Sequence, residues 1–182
     1  MKAQYVSLLL FALAYNARSY SQYDKDSIIK NIKEVYQQVN NDKALHVITL
    51  DEQEFLGDEV SLDGGAGLEG YFKNDTLCKM VVEFGLSYAM RKYDYYFNKG
   101  RVIFIYETEK DYPEKKDGML DYENLKLAFE GRYYYDNGKL IRSLFKGKKR
   151  AEGNTPAEYV KDLPADFKKY IKTLQTHAKS KK

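Results

Sequence analysis

The chain predicts an α+β fold: an antiparallel meander of about six strands, flat or curved, packed by an N-terminal helix and a C-terminal helical segment. Three observations carry this. An aromatic pair, a tight-turn dipeptide and a return strand recur as Tyr71-Phe72-Lys73-Asn74-Asp75-Thr76-Leu77, Tyr96-Phe97-Asn98-Lys99-Gly100-Arg101-Val102 and Tyr134-Tyr135-Asp136-Asn137-Gly138-Lys139-Leu140. Apolar and charged residues alternate along the segments that join these phrases, and helical periodicity brackets them on both sides. Each phrase reads as a β-hairpin, because Asn-Gly and its relatives supply the positive φ of a two-residue turn and aromatic flanks suit a pleated, half-buried surface.

Residues 1–21 read as a signal peptide: Lys2 is a short positive start, Tyr5 to Ala14 is an apolar core, and small residues crowd the stretch to Ser21. That core is too short to span a bilayer. Residues 22–182 then form a single sheet-rich domain, exported to the periplasm or secreted. A buried N-terminal helix is the competing reading.

The mature chain opens with a helix. Ile28, Ile32, Val35 and Val39 recur at helical spacing, Asp24, Asp26 and Ser27 suit its positive end, and Asn40-Asn41-Asp42 stops it. Leu45 to Leu50 is a short strand candidate, and Asp51 to Asp63 an acidic connection with a weak strand around Val60. The meander follows, with strands at 66–73, 76–84, 88–97, 101–109, 122–135 and 139–146. Within it, Cys78, Met80, Val82 and Phe84 share one face; later Leu125, Leu127, Phe129, Tyr133 and Tyr135 oppose Asn124, Lys126, Glu130 and Arg132. Gly85 marks a weaker turn than Gly138.

Thr155-Pro156-Ala157-Glu158 is a capping box with proline at the first helical position. Pro164 interrupts the helix, and Phe167, Tyr170, Ile171 and Leu174 rebuild an apolar stripe that docks on the sheet or rests on a membrane surface. Tyr71, Tyr96 and Tyr134 are 25 and then 38 residues apart, so the phrases are hairpins of one sheet and not a solenoid repeat. The surplus lies in the charged loop Lys110 to Asp121, a candidate recognition element.

The run Gly64 to Tyr112, with Leu68-Glu69-Gly70-Tyr71-Phe72, Leu77-Cys78-Lys79-Met80 and Tyr95-Tyr96-Phe97 leading to Val102-Ile103-Phe104, resembles a group of small exported bacterial proteins of uncharacterised function. Arg132-Tyr133-Tyr134 to Leu140-Ile141-Arg142 corresponds to the last hairpin of that group. The resemblance implies a signal peptide followed by one small sheet-rich domain. It carries over no catalytic or ligand-binding residues.

Charge is divided along the chain. Residues 22–138 carry 15 Lys/Arg against 23 Asp/Glu, and residues 139–182 carry 13 against 4. The basic run Lys146-Gly147-Lys148-Lys149-Arg150 reads as a solvated surface that attracts the acidic body; the alternative is contact with an anionic membrane or glycan. Export argues against nucleic acid as the partner. Cys78 is the one cysteine of the sequence, so an intramolecular disulfide is impossible and a buried, inert thiol is expected.

Motifs of catalysis are scarce. His46 and His177 are far apart, no zinc spacing occurs, and Ser61, Ser87 and Ser143 lack a nucleophile elbow or a His-acid context. The Asp63-Gly64-Gly65-Ala66-Gly67 stretch lacks the ending of a phosphate loop. Glu69, Glu83, Asp94, Glu107 and Glu130 could serve as paired carboxylates of a hydrolase, but Lys79, Arg91, Lys92, Arg101 and Arg132 offer ordinary cross-strand partners. No cofactor, metal or catalytic residue is assigned.

The aromatic load is 18 Tyr and 9 Phe without Trp. Consecutive aromatics point to opposite faces of a strand, so a second aromatic face exists, under a helix or open as a binding patch. Tyr93, Tyr95, Tyr96, Tyr106, Tyr133 and Tyr134 are the candidate binding residues for a protein, peptide or glycan. The reading is therefore a non-catalytic binding protein. Its alternatives are a hydrolase using sheet carboxylates and a carrier of a small apolar ligand in a cupped sheet.

Overall fold

Seven strands form one antiparallel sheet in sequence order, β1 (His46–Asp51), β2 (Ala66–Lys73), β3 (Thr76–Gly85), β4 (Ala89–Asn98), β5 (Arg101–Asp111), β6 (Lys126–Asp136) and β7 (Lys139–Gly147). The sheet is open, with β1 and β7 at its two edges. The computed structural model describes residues 24–150, 160 and 163–180, so the segment 1–21 read as a signal peptide and the capping box expected at Thr155 lie outside the described residues. Around the sheet are α1 over 24–41, α2 (Glu52–Leu56), α3 (Leu163–Asp166) and α4 (Lys168–Ser180). The fold is α+β, as the sequence predicts, with β1 as a seventh strand beside β2.

The recurrent phrase folds the same way three times. The first turn residue has positive φ in each hairpin, 54° at Asn74, 49° at Lys99 and 47° at Asn137. Just before each turn the pairing slips, between Tyr71/Phe72, Tyr96/Phe97 and Tyr134/Tyr135. The return strand thus carries one extra residue, Cys78, Ile103 or Ile141.

These bulges correct two face assignments. Strict alternation puts Cys78 beside Met80 and Val82, but the bulge sets Leu77 opposite Phe72 in the core and leaves Cys78 half-buried, its thiol 3.4 Å from the Thr76 carbonyl. One inserted residue reverses the phase of everything before it. In β6 the slip opposite Glu109/Lys110 makes Ala128 the extra residue, so Phe129 is buried and Leu127 is 52% exposed.

The two long helices lie on opposite faces. Tyr93, Tyr95, Phe97, Ile105, Tyr133 and Tyr135 pack with Leu163, Phe167 and Leu174 of the C-terminal segment. Tyr96, Phe104 and Tyr134, one residue out of phase, pack with Ile29 and Ile32 of α1. Pro164 lies within α3, next to the first residue of that helix, and a further irregularity falls at Phe167, whose carbonyl still accepts from Ile171 N at 3.2 Å. The acidic connection holds α2 and no strand at Val60, because Asp51 accepts from Glu54 N at 3.0 Å while the Glu54 carboxylate accepts from Asp51 N at 2.8 Å.

Gly138 sits in the β6–β7 turn at φ 78°, with open space where a Cβ would project. Gly85 is different. Gly64 N donates to its carbonyl at 3.0 Å and Gly85 N donates to Gly65 O at 2.7 Å, so a Cβ there would land on the Gly64 carbonyl. Gly138→Val should lower stability by about 1 to 3 kcal/mol, the range for a side chain forced into a rare backbone region. Gly85→Val should lower it by more, reversing the order that turn signals alone suggest. Urea denaturation of both variants checks the ranking.

Candidate functional site

The sheet covers most of the tyrosines expected to bind. Tyr93, Tyr95 and Tyr133 are buried on the α3–α4 face, and Tyr96 and Tyr134 are buried on the α1 face. Their phenols act inward: Tyr95 donates to Leu163 O at 3.4 Å, Tyr133 to Glu107 Oε2 at 2.5 Å and Tyr96 to Asn40 Oδ1 at 3.0 Å. Tyr135 likewise donates to Val160 O at 2.6 Å. A buried phenol needs such a partner, and here the partners are mostly the elements that cover the sheet. Tyr106 remains half-buried.

The α3–α4 face also carries two carboxylates, Glu107 and Glu109, both 0% exposed. Each has a cation. Lys149 Nζ lies 2.5 Å from Glu107 Oε1, and Arg91 Nη2 lies 2.6 Å from Glu109 Oε2. At the end of β7 Gly147 has a φ of 81°, Lys148 N donates to Ala128 O at 3.0 Å, and Arg150 N donates to Glu109 Oε1 at 3.0 Å. Lys149, read from sequence as part of a solvated basic run, is therefore a buried latch, 5.0 Å above the Phe129 ring. A carboxylate held this way is committed to a cation and a phenol, which suits a structural tie better than proton transfer.

The α1 face is only part covered. Arg142 holds Asp26 at 2.6 Å near the start of the helix, and Lys73 holds Asp42 at 2.8 Å just beyond its end. The helix thus crosses the hairpin ends of the strands, from β7 to β2. Tyr36 of α1 meets Tyr96 at 4.9 Å and Phe104 at 5.6 Å between ring centroids, and Phe104 meets Tyr134 at 4.9 Å. Where α1 ends its cover over β5–β7, a groove of about 450 Å³ opens, lined by the rings of Tyr36, Phe104 and Tyr134 together with Tyr106, Arg132 and Leu144.

Arg132 is the positioned cation of this groove. Its Nη2 lies 2.5 Å from Glu130 Oε1, its guanidinium carbon lies 5.7 Å from the Tyr106 ring centre, and the Tyr106 hydroxyl donates to Glu130 Oε2 at 3.0 Å. One carboxylate thus fixes both an arginine and the ring beneath it. Burial and the Glu130 bond push the Tyr106 phenol above its ordinary value, and burial does the same to Tyr134. Both are neutral at physiological pH. Lys33 and Gln37 complete the helix side of the groove.

Farther along this face the carboxylates named in the hydrolase alternative are separately paired. Tyr71 donates to Glu69 at 2.6 Å, Lys92 lies 2.8 Å from Glu83, and Lys79 lies 3.4 Å from Asp94. Burial and the Glu69 bond push the Tyr71 phenol up to about 12. Burial, opposed by Lys79 and Lys92, holds the Asp94 carboxyl above its ordinary value, and its Oδ1 has no hydrogen-bond partner among the described residues. Glu107 lies on the other face, so the five carboxylates do not converge.

The remaining candidates are accounted for. No group of three or more His, Cys, Asp or Glu among the described residues is placed to hold a metal. His177 Nδ1 contacts Thr173 O at 3.0 Å within α4, and His46 is exposed on β1. The 110–121 loop is internally built, with Asp121 N donating to Pro113 O at 2.7 Å and Lys115 N to Met119 O at 2.7 Å; Met119 within it and Tyr122 just after it are exposed. A second cavity of about 500 Å³ lies between the β4–β5 and β6–β7 turns and α4, lined by Arg101, Asn137 and Lys168. The sheet does not close on itself.

Arg132, Tyr36 and Lys33 were not among the expected binding residues. Arg132 was visible only as part of a polar strand face, and nothing local shows that α1 brings Tyr36 above Phe104. Compared with known proteins, the chain matches no family model, no curated protein and no solved structure.

Two outcomes are expected. Lys149→Met should destabilise by about 3 to 5 kcal/mol by leaving Glu107 buried without its cation, and adding Glu107→Gln should restore part of that loss in chemical denaturation. Asp94 has a raised folded value, so its contribution to stability is complete below its ordinary value of 3.8 and is lost as pH rises through the folded value. Relative to Asp94→Asn, the wild type should therefore lose stability between pH 3 and pH 7, measured by denaturation midpoints at both ends.

Proposed function

We propose that this chain is an exported, non-catalytic binding protein whose site is the groove between α1 and β5–β7. The observation that carries it is Arg132, held over the Tyr106 ring by Glu130 at the mouth of an aromatic groove. Rings supply contact area at small entropic cost, and a pre-oriented guanidinium supplies a directional charge for a carboxylate, sulfate or phosphate. Such a site suits an anionic protein segment or glycan. The six tyrosines of the sequence reading narrow to Tyr106 and Tyr134, joined by Tyr36 and Arg132.

The reading is tested on immobilised protein. A periplasmic or culture fraction of the source organism should leave bound material on the wild type that is lost on Arg132→Ala and on Tyr106→Ala. Equal retention on all three, with the variants folded by circular dichroism, would contradict it. Export is tested separately: intact mass of protein recovered from that fraction should lack residues 1–21, and a mass that includes residues 1–14 would overturn the export assignment.

A further inference from the structure

We infer that β7 accepts an extended acidic segment of a partner protein as an eighth strand, which lays alternate side chains into the groove beside Leu144. This rests on the binding reading above and names the partner of that site. β7 is nine residues long and, among the described residues, pairs with β6 alone. Its free side therefore offers unpaired backbone donors and acceptors, the template used when a peptide adds to a sheet.

Leu144 and Phe145 lie on opposite faces of the strand and are 48% and 41% exposed. An added strand covers both, because its successive side chains also alternate between faces. Leu144 lines the groove that holds Arg132 and Tyr106. Side chains of the added strand on that face thus reach the same aromatic surface.

Charge selects the occupant. From Asn137 to Ala151 the chain contains no Asp or Glu. Arg142 and Lys149 are committed to Asp26 and Glu107, whereas Lys139, Lys146 and Lys148 are exposed and form no ion pair among the described residues. Lysines on an edge oppose pairing with a like-charged strand, so two copies of β7 repel each other. The same lysines favour a strand that carries carboxylates. The opposite edge has the reverse character, since β1 ends at Asp51 and runs into Glu52 and Glu54 of α2.

The test uses two synthetic peptides, EVEFETE and its lysine counterpart KVKFKTK, with the isotope-labelled mature protein. Binding of EVEFETE should slow amide exchange along β7, weaken as salt is raised, and weaken at least about tenfold in the variant Lys139→Glu/Lys146→Glu/Lys148→Glu. KVKFKTK should leave β7 unchanged. The three lysines are exposed, so the variant should keep the wild-type amide spectrum away from the edge. No change in β7 exchange at millimolar EVEFETE, equal binding of both peptides, or unchanged affinity in the variant would overturn the inference. So would a concentration-dependent dimer in light scattering without peptide, which would assign the edge to a second copy. Material retained through Arg132 and Tyr106, with β7 exchange unmoved by EVEFETE, would leave the groove reading standing and remove the strand inference alone.

Discussion

Every aromatic pair before a turn must divide across the sheet, because successive side chains of a strand point to opposite faces. Tyr96 and Phe97, and Tyr134 and Tyr135, each send one ring to α1 and the other to the C-terminal helices. Neither face can therefore be left wet over the hairpin ends, where burying each ring contributes roughly 1.5 to 3 kcal/mol. Two covers are needed, one from each end of the chain. The N-terminal helix and the C-terminal segment supply them, and this is why a meander with clear alternation is buried on both sides.

The two covers differ in reach, and the site follows from that difference. The C-terminal segment meets its face through phenols and rings, including Tyr135 to Val160 O and Phe167 against Tyr95 at 4.9 Å. Toward the far ends of β4–β6 that cover is continued by Lys149 and the backbone of Arg150, which bring Glu107 and Glu109 into the interior. Among the described residues the other face is covered by α1 alone, tied down at Asp26 and Asp42. Beyond it the strands turn polar, and the groove at Tyr106, Arg132 and Leu144 is the boundary between the covered and open halves.

The hairpins and their order were legible because turn residues and aromatic flanks are local signals. The bulges were not: an extra residue shows only against a partner strand, and Cys78 and Leu127 were misplaced for that reason. Helix α2 was not read: Asp51 and Glu54 have the spacing of a capping box, but the acidic run around them resembles a connection. Lys149 looked like its neighbours in a basic run, and only Glu107, distant in sequence, distinguishes it. For the site, Tyr106 could be singled out from composition. Arg132 and Tyr36 could not, since their meeting depends on where α1 lies across the sheet.

Two-sided cover is most directly tested by nitrating the folded protein with tetranitromethane and mapping the modified tyrosines by peptide mass spectrometry. Among the described residues, Tyr122, Tyr36 and Tyr106 should react, and Tyr93, Tyr95, Tyr96, Tyr133 and Tyr135, all at most 6% exposed, should be spared. Early nitration of Tyr95 or Tyr96 with Tyr106 protected would mean that one face of the sheet is bare and that the groove is not where the aromatic surface opens.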